Sequence, residues 1–219
     1  FILPSFLVLG IFFVFPIFWT LVMSFSYWGD LTNPVYLGLE NYKDVFSDES
    51  FWNAMKNTAL LVLITVPSVV CISLVLATLV NVRNPLQNFF KALFYVPVIS
   101  SGIIVGVIWK WIYHGEFGVL NFVLGWFGLD PLVWLANMDT ALPAVAVVNI
   151  WRIVGYYLVI FLAGLQSIPG ELYEAGTIDG ASRIQMFGRI TLPMLKPITI
   201  TVVILARIFS FQSFDTIYV

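Results

Sequence analysis

SIPGELYEAGTIDGASRIQMFGRITLPMLKP, residues 167–197, carries six of the chain's 22 acidic and basic side chains: Glu171, Glu174, Asp179, Arg183, Arg189 and Lys196. Its flanks are almost pure hydrocarbon. A polar segment between apolar runs of that length needs an aqueous address, so the chain reads as a membrane protein with this segment outside the bilayer core. The local punctuation predicts two short helices and a sharp turn. Pro169 suits a first helical turn, which has no use for the missing N–H, and Ser167 stands just ahead as a candidate cap. Glu171 and Glu174 fall in the early turns, where the helix dipole favours carboxylates. Gly180 is the expected stop, since a helix C-terminus takes a residue that accepts positive φ. Ser182 and Gln185 form an S-x-x-Q capping box that starts a second helix at Arg183. Pro193 and Pro197 are expected to end it and return the chain to apolar sequence. Ala175 and Gly176 leave the middle of the first helix without bulk, open to close approach by another surface. The expected product is a compact helix–turn–helix held by something else.

Composition points the same way. The 219 residues are 60% hydrophobic and 10% charged, with a mean hydropathy of +0.97, whereas about a quarter of a soluble domain is charged. A formal net charge of −2 offers a nucleic acid or other polyanion nothing to bind. The single cysteine, Cys71, lies in an apolar run; it reads as a small hydrophobe and rules out a disulfide framework. The chain opens inside an apolar run without an initiator Met, as expected of a fragment.

A bilayer core takes about 20 apolar residues per helix. The expected fold is all-α: one polytopic membrane helix bundle over residues 1–219, with five spans here and six in a full-length chain. Span one is residues 1–29, kinked at Pro4 and Pro16, with Trp19, Tyr27 and Trp28 suited to an interfacial belt. An external loop, residues 30–56, follows. Span two is residues 57–80. Span three is residues 92–113, with Lys110 placed to snorkel at its outer end. Span four is residues 140–165, and span five, residues 198–219, follows the polar segment 167–197. In span three, Gly102-x-x-x-Gly106 puts two small residues on one face, for plain close packing or for a helix that slides. Residues 117–129 are apolar but too short to cross, so an interfacial or re-entrant segment is expected. His114 and Glu116 make an H-x-E with no second His and no thiol nearby, which reads as a solvated loop and not as a metal site. Loop cations set the orientation. Arg83, Lys91, Arg183, Arg189 and Lys196 follow spans two and four, against Lys43, Lys56 and Lys110 on the other side, so the polar segment and the N-terminus face the cytoplasm.

Charges inside the hydrocarbon are costly and mark function. Arg152 lies near the middle of span four, with Asn149 three residues before it and Tyr156 four after it on one helical face. In span five, Arg207 and Ser210 share a face. Asn149, Trp151, Arg152, Tyr156, Ser210, Gln212 and Asp215 are therefore candidate solute-pathway residues: amides and charges for hydroxyl groups, ring faces for sugar C–H surface. Intramembrane pairing of Arg152 or Arg207 with Asp215 or with a partner subunit gives the same pattern, and the sequence leaves both readings open. No Gly-Lys dipeptide occurs, hence no Walker A loop to hold phosphates, and no nucleophile–base or metal set converges. The chain is not expected to be an enzyme. A self-contained secondary transporter is the rival class, for which no internal repeat is visible.

Glu174-Ala175-Gly176, then Gly180, Ile190 and Leu192-Pro193, resemble the EAA signature of the permease subunits of binding-protein-dependent ABC importers. The family pattern is Glu-Ala-Ala, three residues, Gly, nine residues, Ile-x-Leu-Pro. Gly176 departs from it at the third position, which loosens the helix by about 0.5–1 kcal/mol. LGLENY (37–42), FWNAMKNT (51–58), NIWR (149–152), LVIFLAGLQSIPGELYEA (158–175) and SFQSFD (210–215) are similar to the carbohydrate-type, maltose- and glycerol-phosphate-like subfamily. Arg207 departs from a position expected to be small or neutral. The resemblance implies that Glu171, Glu174, Ala175, Gly176, Asp179, Gly180, Ala181, Leu192 and Pro193 belong to a coupling segment seated in a cytoplasmic ATPase. It implies half of a pathway for a sugar or sugar-like solute, in a bacterial or archaeal cytoplasmic membrane. A second permease subunit, two ATPase subunits holding ATP-Mg and a soluble extracytoplasmic substrate-binding protein complete the assembly. No cofactor is expected on this chain. A non-sugar solute such as glycerol phosphate is the alternative within the class.

Overall fold

The computed structural model describes residues 2–29, 34–81 and 86–212. The chain divides into two compact units, Phe1–Lys56 and Asn57–Val219, where the sequence is expected to form one domain.

In the first unit, Leu3–Met23 is a continuous apolar helical run of 21 residues, made of α1 (Leu3–Leu9), a π-helical turn (Gly10–Val14) and α2 (Phe15–Met23). It absorbs the expected proline kinks. Pro4 sits in the first turn of α1, where no intrahelical bond is lost. Pro16 opens α2 directly behind the π turn, whose wider ring makes room for a proline. Behind α2, β1 (Ser26–Tyr27) and β2 (Val35–Tyr36) pair antiparallel, Ser26 opposite Tyr36 and Tyr27 opposite Val35; α3 (Glu40–Ser47) follows. LGLENY supplies the closure. The Asn41 amide donates to the Ser24 and Ser26 carbonyls (2.9 and 3.1 Å), and the Tyr42 hydroxyl lies 2.6 Å from Ser24 Oγ. Part of the expected loop is thus an ordered cap bonded to the end of α2.

The remaining elements are α4 (Glu49–Val80), α5 (Gln87–Ile99), α6 (Gly102–Ile112), α7 (Val119–Trp126), α8 (Met138–Gln166), α9 (Gly170–Ile178), α10 (Arg183–Met186), a π turn (Phe187–Thr191), α11 (Leu192–Met194) and α12 (Lys196–Phe211). The helix α4 begins at Glu49, ahead of the expected residue 57, because Asp48 Oδ1 accepts the Ser50 N–H at 2.8 Å and nucleates the first turn. In the second unit α4, α8 and α12 share a core in which Val69, Ala77, Tyr157, Leu158, Phe161, Val202 and Ala206 are fully enclosed, together with Leu195 at the entry to α12. With Val66, Val80, Leu162 and Leu165 of the same cluster they fall largely at three- and four-residue spacing, one stripe per helix. Between membrane helices the gain from such a seam is close packing, since lipid is as apolar as the side chains it replaces.

Residues 92–113, the expected third span, are not one straight helix. α5 and α6 meet at a 99° bend. Ser100 and Ser101 are extended, with ψ of 140° and 137°, and Ser100 Oγ donates back to the Val96 carbonyl at 3.0 Å. A serine whose hydroxyl bonds back to the preceding turn, followed by Ser101 in a non-helical conformation and by Gly102, ends the helix where hydropathy alone reads straight on. A second bend, 65°, separates Arg183–Met194 from Lys196–Phe211. Among the described residues three helices are long and apolar enough to cross a membrane, and up to five crossings result if each bent pair is one span.

Candidate functional site

Residues 167–197 form the two-helix knob read from the sequence, with differences in detail. Gly180 has φ +74°, and the turn is a Schellman motif: the Gly180 N–H donates to the Thr177 carbonyl (3.1 Å) and the Ala181 N–H to the Gly176 carbonyl (2.9 Å). The capping box is complete, with the Gln185 N–H donating to Ser182 Oγ (3.3 Å) and the Ser182 N–H to Gln185 Oε1 (2.8 Å). Ser167 does not cap α9. It ends α8, its hydroxyl donating to the Gly164 carbonyl at 2.8 Å, and Pro169 holds the N-cap position of α9. Nor does Pro193 end the second helix. The π turn at Phe187–Thr191 accommodates its ring, and the helical run continues to Met194. The break comes at Leu195, with Pro197 in the first turn of α12.

The bare surface at Gly176 is filled from within the knob. A β-carbon there would lie 3.2 Å from Ile190 Cδ1 and 3.4 Å from Met186. The Tyr173 hydroxyl, 2.9 Å from the buried Thr191 Oγ1, ties α9 to the second helical run. The faces left open carry Glu171, Glu174, Ala175, Asp179, Leu192 and Pro193, all exposed, while Ala181 is half-buried. Two apolar side chains that the sequence reading passed over stand at the tip: Ile178 is 86% exposed and Ile184 85%. They flank the Gly180 turn in an otherwise polar surface.

Along α8, Asn149 is buried, 5% exposed, while Arg152 and Tyr156 are half-buried on the adjoining open face. Trp151 packs edge-on to Trp109 of α6, with ring centroids 5.6 Å apart. Tyr156 meets Phe209 of α12 edge-on at 6.1 Å, which brings the α8 face to the α12 segment holding Arg207 and Ser210. Ser210 is buried with its hydroxyl unpartnered, and Gln212 forms the exposed end of α12. Asp215 lies outside the described residues, as does Arg83.

A polar clamp on the far side of α6 was not read from the sequence. Asn121 of α7 donates from Nδ2 to the Gly115 and Leu132 carbonyls (2.8 and 2.9 Å). Its Oδ1 accepts from the Leu132 N–H (3.1 Å) and from Trp134 Nε1 (2.9 Å). All four valences of the amide are used. Asn121 is the lone polar side chain within residues 117–129, which was the available signal. Nearby, the Tyr113 hydroxyl donates to the Ala144 carbonyl at 2.9 Å and joins α6 to α8. His114 stacks on Phe117 at 3.5 Å and accepts the Glu116 N–H on Nδ1 at 3.2 Å. Gly102 opens α6; a close helix crossing lies at Gly155 of α8, where a β-carbon would collide with the Phe94 carbonyl of α5.

Among known proteins, the chain is 33% identical to a probable ABC transporter permease of Pyrococcus horikoshii, across all of this chain and 76% of that protein. It is also 33% identical to the trehalose/maltose transport system permease protein MalF of Thermococcus litoralis, across all of this chain and 74% of that one. The fold matches a crystal structure of a bacterial ABC transporter involved in the import of the acidic polysaccharide alginate, with a TM-score of 0.80 and 28% identity over 99% of this chain and 73% of that chain. Residues 60–219 match the family model described as the binding-protein-dependent transport system inner membrane component. With that match, and with relatives aligned along its whole length, the chain belongs to this family, the membrane-spanning permease subunits of ABC importers.

Proposed function

We propose that this permease forms half of the translocation pathway for a sugar or sugar-like solute, and that its helix–turn–helix at residues 167–197 docks, on the cytoplasmic side, into a separate ATPase subunit. A second permease subunit, two ATPases holding ATP-Mg and an extracytoplasmic substrate-binding protein complete the importer. The sugar assignment leans on the trehalose/maltose relative. The observation that carries the docking assignment is the knob's construction. It is internally closed by a Schellman turn, a capping box and the Tyr173–Thr191 bond, yet it presents Ile178 and Ile184 almost fully exposed at its tip. Two large aliphatic side chains on a rigid polar support suit a complementary pocket on another protein.

The knob continues into α8 at Ser167 and into α12 at Leu195. A rigid-body movement of the knob, driven by closure of the ATPase pair, would therefore swing both helices, and with them the side chains of Asn149, Trp151, Arg152, Tyr156 and Ser210. Hydrolysis takes place on the partner, and this chain supplies the lever and the pathway wall. The test is affinity purification of the full-length permease from mild detergent, with every co-purifying subunit identified. A Walker-A-containing ATPase is expected in the wild-type complex and depleted with Ile178→Asp/Ile184→Asp. Recovery of the permease alone, able to transport in liposomes without ATP, would overturn the reading in favour of a secondary transporter.

A further inference from the structure

The position of Arg152 bears on which solutes this pathway takes, and the argument rests on the importer reading above. Arg152 stands at the centre of the 29-residue helix α8, roughly 20 Å from either end at about 1.5 Å rise per residue. An arginine side chain cannot snorkel that far to reach the interface. It is half-buried, on the open side of the helix, and among the described residues no carboxylate or hydrogen-bond acceptor is paired with it. A guanidinium so placed cannot face lipid, because an ionised group at membrane depth needs water or an anion. The open face of α8 at Arg152 therefore looks onto the pathway.

Its surroundings suit a ring as well as a charge. Tyr156 lies one turn further along the same face, its own ring set edge-on to Phe209, and Trp151 beside Arg152 is held against Trp109. We infer that the transported solute is an anionic saccharide, a sugar bearing a carboxylate or comparable acid group, and that Arg152 receives the anion while Tyr156, one turn along the same face, covers a sugar C–H face. A planar guanidinium presents paired N–H donors matched to a carboxylate, and such charge-assisted bonds are about twice as strong as neutral ones. The anion supplies the counter-charge during passage, and water hydrates the guanidinium between cycles.

The test uses the whole importer in proteoliposomes. A uronate trisaccharide and its neutral methyl ester are each delivered at saturation on the same extracytoplasmic binding protein, and ATP-driven uptake of the two is compared. Wild type is expected to favour the uronate. Arg152→Gln should cut the uronate-to-ester ratio by about 10-fold or more, the scale of a lost charge-assisted bond, while uptake of the ester persists. Arg152→Lys should restore most of the ratio. An unchanged ratio in Arg152→Gln would overturn the assignment. So would collapse of uptake of both probes with loss of the permease pair, since Arg152 would then neutralise an acid of the partner subunit. Wild-type importer that hydrolyses ATP but takes up neither probe would instead sink the saccharide reading, and this inference with it.

Discussion

A single atom decides the crossing of α5 and α8. At Gly155 the missing β-carbon is what lets α8 lie against the Phe94 carbonyl, and no rotamer change relieves a collision with backbone. Gly155→Ala is therefore expected to push the helices apart at a cost of about 1–3 kcal/mol, the usual range for overpacking. The check is a lower apparent Tm of the detergent-solubilised protein. Asn121 acts in the opposite manner, through bonds and not through absence. Asn121→Ala would leave the Trp134 indole N–H, the Leu132 N–H and the Gly115 and Leu132 carbonyls without this part-buried partner, at about 1 kcal/mol for each bond that water does not replace. Faster proteolysis within residues 115–134, with the rest of the protein intact, is the expected readout. Asn121 was legible in principle, as one amide in an apolar stretch. Gly155 was not, because its role depends on which backbone faces it.

At the scale of elements, the knob is where local sequence rules and observed geometry agree most closely. Gly180 at φ +74° and the Ser182–Gln185 box are short-range devices whose partners lie within five residues, so their chemistry can be read without knowing the fold. Gly180→Leu forces a side chain into the left-handed region at about 1–2 kcal/mol and misdirects the tip that carries Ile178 and Ile184. The variant is expected to reach the membrane but to lose ATPase-coupled uptake; normal transport would disprove the docking role of the turn. Ser182→Ala removes the cap alone, about 1 kcal/mol, and should reduce coupling less than Gly180→Leu in the same assay. The expected roles of Ser167 and Pro193 differ in the structure for one reason. A serine between two helices can serve either end, and a proline ends a helix only where no π turn makes room for its ring. Both are settled by neighbouring backbone and not by residue type.

For the whole molecule, the number of crossings depends on two bends that hydropathy does not register. The 99° turn at Ser100–Ser101 and the 65° turn at Leu195 each join two apolar helices. Cysteine labelling tests the first: with Ser100→Cys in the Cys71→Ser background, a membrane-impermeant thiol reagent is expected to label an extended, hydrogen-bond-diverting junction that reaches water. A straight third span would protect the same site in lipid.

The sequence by itself determined the membrane class, the helical fold, the polar knob with its turn and second N-cap, and the family. Each of these rests on composition or on patterns within about twenty residues, which chain connectivity keeps together in any conformation. Tertiary structure alone decided that Gly176 is filled by Met186 and Ile190, that Gly155 sets the α5–α8 crossing, and that Tyr156 meets Phe209. It alone left Arg152 on an open face with no acid beside it among the described residues. The Gly155–Phe94 and Tyr156–Phe209 contacts join segments remote in sequence, and all of them depend on the close packing of surfaces whose facing partners no local pattern specifies.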